Sequence, residues 1–121
     1  LNGATIKSVT IKDANNSVAY RPILARNAYN ATFDGVTIEI LGGTKLAGTA
    51  ENTPFVGNTM QKCVWKNCKI VSSVEIVNVF ANQSDNNFSG GLEITATVTG
   101  GFSAATAEYP AGVTVKTSFT A

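Results

Sequence analysis

The chain has no histidine, only two cysteines, one tryptophan, one methionine, three prolines and two arginines in 121 residues. Without histidine there is no Ser-His-Asp or Cys-His set for nucleophilic catalysis. The usual Cys/His zinc sites are excluded on the same ground, and the spacing Cys63-x4-Cys68 is neither a zinc nor a redox spacing. Charge is also scarce. Only 14% of residues are charged and the net charge is +1, so no basic surface argues for nucleic acid or an anionic membrane. No apolar run approaches the roughly 18 residues a membrane span needs. No Gly-rich phosphate loop of either standard spacing is present.

The chain does have 44% hydrophobic residues, enough for one packed domain across residues 1–121. Thr, Val, Ile and Asn are abundant and strong helix formers are sparse, which favours strand. Residue 1 is Leu, as expected of a processed product or a piece of a longer chain; a cleaved signal peptide would fit.

An internal repeat organises the sequence. Arg21–Ile38 (RPILARNAYNATFDGVTI) aligns without a gap on Thr53–Ile70 (TPFVGNTMQKCVWKNCKI) at an offset of 32. Pro22 meets Pro54, Ala31 meets Cys63, Phe33 meets Trp65, Val36 meets Cys68 and Ile38 meets Ile70. The second half of the unit also occurs as Ile6–Ile11, more weakly as Gly91–Ile94, where Asn78–Ala81 stands in for the PILA segment, and as a trace in Gly112–Val115.

The six-residue core of the unit is large apolar, polar, then Ser, Gly or Asn, then apolar, polar, apolar. Its last three positions alternate as a strand does. The first position keeps its side chain on the same interior only if the chain bends at the third. Gly and Asn tolerate the left-handed backbone such a bend needs. The predicted inward columns are Ile6–Phe33–Trp65, Val9–Val36–Cys68–Leu92 and Ile11–Ile38–Ile70–Ile94. Removing the centre of one, as in Ile38→Ala, should cost about 2–5 kcal/mol. Outside, the alignment faces Lys7 with Asp34, Asp34 with Lys66, Lys12 with Glu39 and Lys69 with Glu93, all opposite in sign.

The segments Ala-Thr-Phe-Asp-Gly-Val-Thr-Ile and Cys-Val-Trp-Lys-Asn-Cys-Lys-Ile resemble coils of the right-handed parallel β-helix superfamily. That superfamily includes pectin and pectate lyases, polysaccharide hydrolases and phage tailspikes. The resemblance covers about residues 4–95 and implies a β-solenoid of four to five coils. Residues 1–100 would form coils and 101–121 a cap or a subunit-contact strand. An antiparallel β-sandwich or jelly roll is the alternative fold.

Function is less legible than fold. Enzymes of the resembled superfamily use carboxylates, and Asp34 with Glu39 is the best available pair here. Lysines in adjacent rungs suit Asp34 and Glu93 poorly to acid catalysis. Tyr20, Arg21, Arg26 and Tyr29 form a candidate glycan-contact patch, with surface packing of the arginine stems as the simpler reading. Trp65 is expected in the core. Cys63 and Cys68 are expected as buried free thiols, with a disulfide across the turn as the alternative. Asn15, Asn30, Asn82 and Asn87 open sequons, permissive only in a secreted setting.

No cofactor or metal is expected. The expected role is a non-catalytic structural or attachment module of a phage virion appendage or bacterial extracellular fibre. Its partners would be itself, as a homo-oligomer or filament, neighbouring virion or fibre proteins, or a surface glycan. A fragment of a polysaccharide lyase or hydrolase and a strand-exchanging pilin-like subunit are the alternatives.

Overall fold

The computed structural model describes residues 1–13, 25–41, 56–103 and 106–116. Among them are twelve strands and no helix. They are β1 (Thr5–Lys7), β2 (Thr10–Asp13), β3 (Ala25–Tyr29), β4 (Thr32–Asp34), β5 (Thr37–Ile40), β6 (Val56–Gln61), β7 (Val64–Ser72), β8 (Ile76–Phe80), β9 (Asn82–Ser84), β10 (Asn87–Thr95), β11 (Val98–Ser103) and β12 (Val113–Lys116). Every strand pairing is parallel. Antiparallel sandwiches and jelly rolls have no such ladders.

The strands make three sheets. The largest runs β1-β4-β7-β10-β12, with β2 and β5 joining the same sheet beside β7. The second is β3-β6-β9, and the third pairs β8 with β11. The register in the large sheet follows the repeat. Ile6 faces Phe33, which faces Trp65. Ile11 faces Ile38, then Ile70, Ile94 and Val115. β12 carries the same ladder past residue 100, because Val113 and Val115 sit on Leu92 and Ile94.

Asn78–Ala81 is a different matter. Its strand β8 pairs with β11, whereas β6 takes β9 as its neighbour. Residues 22–24 and 54–55 of the two PILA-like segments lie outside the described residues.

Short strands connect through stacked corners. At the first corner Ser8, Gly35, Asn67, Gly91 and Gly112 all have positive φ, at 56°, 67°, 50°, 112° and 90°. These are the third positions of the repeat unit. At the second corner Gly3, Asn30, Lys62 and Asp85 repeat the pattern with φ of 69°, 53°, 55° and 57°. Both corners use one hydrogen bond. The corner N–H donates to the carbonyl just before the next corner residue, as in Ser8 to Asp34 (2.8 Å), Gly35 to Lys66 (2.9 Å) and Asn30 to Gln61 (3.0 Å). These bonds tie one corner to the next and satisfy the donating N–H groups.

Inside, Phe33, Val36, Ile38, Ile40, Met60, Trp65, Ile70, Phe80, Leu92, Ile94 and Phe102 are buried to 1% exposure or less. Burying each large apolar side chain contributes roughly 1.5–3 kcal/mol. An aromatic seam runs through this core. Trp65 lies 4.3 Å from Phe33 and 5.8 Å from Phe88 between ring centroids, and Phe102 lies 5.2 Å from Phe80 and 5.1 Å from Phe88. Phe88 reaches this seam because β10 gains a residue between Asn87 and Gly90 relative to β7. Such a bulge re-aims a side chain without breaking the ladder.

The first rung is an exception to the expected columns. Val9 is 37% exposed, and Ile6 and Ile11 are only half-buried. Among the described residues β1 and β2 have a strand on one side only, so their apolar side chains are covered from one side.

Candidate functional site

The four glycan-patch residues are not gathered into one site by the described residues. Tyr20 and Arg21 lie outside them. Arg26 and Tyr29 share β3, Arg26 exposed beside a register shift and Tyr29 half-buried. The Tyr29 backbone is fixed by Leu1 and Gly3: its N–H donates to Leu1 O and its carbonyl accepts from Gly3 N–H, both at 2.9 Å.

The remaining nominated groups are occupied by neighbouring rungs. Trp65 is fully buried among Phe33, Phe80 and Phe88, which removes its ring from any sugar. Asp34 faces Lys7 and Lys66 in register, and Glu39 lies 3.7 Å from Lys12. Cys63 and Cys68 are free and buried, and burial pushes both thiols above their ordinary pKa. The Cys68 Sγ lies 3.2 Å from the Lys66 carbonyl and 3.4 Å from that of Phe33. Neither is placed as a nucleophile, since the reactive form is the thiolate. Asn30, Asn82 and Asn87 are exposed, while Asn15 lies outside the described residues. Asn87 Oδ1 accepts from Ser89 N–H at 2.9 Å and Ser89 Oγ–H at 2.7 Å, closing its own sequon into a turn.

One concave feature stands out, a groove of about 250 Å³ along the first corner. Its walls come from three successive rungs. Asn67, Gly91 and Gly112 supply the corner, and Lys69, Glu93 and Thr114 supply the strand beside it. Gly91 leaves space at the corner, where a Cβ would meet only the Asn67 backbone nitrogen, at 3.8 Å. At Gly112, φ of 90° and the nearby Phe88 backbone leave no place for a Cβ.

Glu93 gains a second lysine that the repeat did not show. Lys69 does face it in register, but the close ion pair is with Lys116, at 2.8 Å. Lys116 lies diagonally across the ladder, within reach of a long side chain. Its hydrogen bond, and less so the charge of Lys69, lowers the Glu93 pKa. The groove thus presents ammonium donors, a charged carboxylate and a hydroxyl. That set can hydrogen-bond a polyhydroxylated ligand but offers no protonated acid near neutral pH. Sequence reasoning missed the groove. Its only signal was that Gly91 and Gly112 occupy the repeat position of Asn67.

No family model, curated protein or solved structure matches this chain. Its function is therefore read from its own geometry. Among the described residues no group of three or more His, Cys, Asp or Glu side chains is placed to hold a metal ion, and no helix is long and apolar enough to cross a membrane.

Proposed function

We propose that the chain is a non-catalytic structural module, a right-handed parallel β-helix of four to five coils, built into a virion appendage or a bacterial extracellular fibre. The observation that carries this reading is the stack of left-handed corners. Ser8, Gly35, Asn67, Gly91 and Gly112 recur at intervals of 27, 32, 24 and 21 residues, each one rung above the last. Intervals of that size return the chain to the same sheet by a crossover, and parallel crossovers are almost always right-handed. At about 4.8 Å per rung, five rungs make a post roughly 20–25 Å tall.

Its side-chain chemistry supports a structural role. Asp34, Glu39 and Glu93 face or bind lysines of neighbouring rungs, and the aromatic rings fill the interior. A stacked domain of this kind leaves strand edges at its ends, which are covered by assembly or by caps. The groove at Asn67–Thr114 is the surface best formed for a glycan contact.

Sedimentation velocity and negative-stain microscopy of the purified chain test the assembly. Oligomers or filaments are expected, and a monomer at all concentrations would count against the module. Incubation with pectin, alginate and capsular polysaccharides, read by reducing ends and by absorbance of unsaturated products, tests the absence of catalysis. Sustained product formation would replace this reading with a polysaccharide lyase or hydrolase. If assembly is lost only on deleting residues 1–12, the subunit works by strand exchange, as a pilin does.

A further inference from the structure

We propose that Asp34–Gly35 is a self-modification site that the stacked first corner holds shut. Once the corner opens, the Gly35 nitrogen attacks the Asp34 carboxyl, and the isoaspartyl link that follows keeps this rung from re-forming. The site is independent of whether the chain assembles.

The sequence has two Asx–Gly steps, Asn2–Gly3 and Asp34–Gly35, and each glycine stands at a corner. The corner itself creates the pair. Its positive φ, 67° at Gly35, favours glycine, and the outward position before it takes a polar residue, here Asp34 facing Lys7 and Lys66. Glycine has no Cβ, so nothing shields its nitrogen from the preceding side chain.

The reaction needs only water. The Gly35 nitrogen bonds to Asp34 Cγ, and the protonated carboxyl expels its hydroxyl, which takes the amide proton and leaves as water. A second water then opens the succinimide ring. Opening at Cγ restores Asp34. Opening at the Asp34 main-chain carbonyl carries the backbone through Cβ and Cγ, lengthens the link by a methylene and leaves the former main-chain carboxyl as the side group.

The folded corner blocks the first step. Gly35 N–H is already donated to Lys66 O at 2.9 Å, which fixes its direction and its proton. Asp34 lies in β4 with a strand on each side, in register with Lys7 and Lys66. Ring closure rotates Asp34 ψ out of the extended range, which breaks those ladders. The lengthened link does not fit back. Phe33 and Val36 flank the step and are both 0% exposed, so a methylene inserted between them displaces one from the interior.

The test follows isoaspartate at residue 34 by enzymatic methyl transfer and by electron-transfer fragmentation, since the mass is unchanged. The wild-type chain is aged at about pH 5, where ordinary carboxyls are partly protonated, both folded and in guanidinium chloride. A synthetic peptide of residues 31–40, ATFDGVTIEI, supplies the unstructured rate. The folded chain should react at least about tenfold more slowly than the other two, because only its opened fraction reacts. On dilution from denaturant, chains with isoaspartate at residue 34 should stay unfolded by far-UV circular dichroism, while unmodified chains refold. Aged Asp34→Glu should also refold, which separates this step from ageing at Asn2 and elsewhere. Equal rates in the folded and unfolded chain would overturn the proposal. So would native refolding of the isoaspartyl chains, or an Asp34 that stays intact in denaturant.

Discussion

The two stacked corners reach the same backbone conformation with different residues. The first uses Ser8, Gly35, Asn67, Gly91 and Gly112; the second uses Gly3, Asn30, Lys62 and Asp85. Gly and Asn enter the left-handed region at little cost, whereas a lysine there loses about 1–2 kcal/mol. Lys62 is held at φ of 55° by the ladder around it. Its N–H donates to Ser84 O at 3.2 Å, and Val64 N–H donates to Ala31 O at 2.9 Å. Asn86 adds to this corner from the next rung. Its Oδ1 accepts from Cys63 N–H at 2.8 Å, and its Nδ2 donates to Met60 O at 3.1 Å. Most of both corners is thus specified locally, by residues suited to the bend. At Lys62 the bend is imposed by what stacks on it.

The largest effect should come from the core that both corners enclose. Ile38→Ala should cost about 2–5 kcal/mol in urea unfolding with little change in m-value. A loss below 1 kcal/mol would mean that the columns do not carry the stability. Gly112→Ala should cost about 1–3 kcal/mol, and the loss should be local. The new Cβ meets the Phe88 backbone, so β12 detaches and the amides of Leu92 and Ala96, which donate to Gly112 and Lys116, lose hydrogen-exchange protection. Gly35→Ala is the contrasting case, since its Cβ would have ordinary contact with Ser8 and only the φ penalty remains.

Asn86→Ala tests whether the second corner depends on its side-chain brace, and should cost about 1–2 kcal/mol. Lys62→Asn runs the other way, with an expected gain of about 0.5–1 kcal/mol by thermal denaturation. No gain would mean that the Lys62 side chain contributes more than its strain. The smallest effect is pH-dependent. The Glu93 carboxyl is lowered by Lys116, so its contribution is present above the ordinary carboxylate range and is lost as pH falls through the lowered value. The gap in Tm between the wild-type chain and Lys116→Gln should be measurable near neutral pH and should close as pH falls through the lowered Glu93 value.

These contrasts explain what could be read in advance. The repeat of Phe33 on Trp65 and Ile38 on Ile70 was legible, since stacking places like residues in like positions and leaves that mark on the chain. The facing charges Lys7–Asp34, Asp34–Lys66 and Lys12–Glu39 were legible for the same reason. The second corner was not seen as a stack, because Lys62 interrupts Gly3, Asn30 and Asp85 with a residue that carries no turn signature. The facing of Lys69 with Glu93 was legible too, whereas the closer Lys116 partner was not, because alignment gives the register of Cα atoms and not the diagonal reach of a lysine. Of the candidate patch, Arg26 and Tyr29 lie on β3, while Tyr20 and Arg21 fall outside the described residues.

The sequence by itself determined the strand-forming composition, the interior columns and the first corner, since each follows from the side chain at one repeated position. Only the tertiary structure decided the bend at Lys62, the bulge that turns Phe88 inward, the Glu93–Lys116 pair and the groove at Gly91 and Gly112. Each of these depends on the distance between two rungs, and that distance is set by the backbone ladder and not by any residue alone.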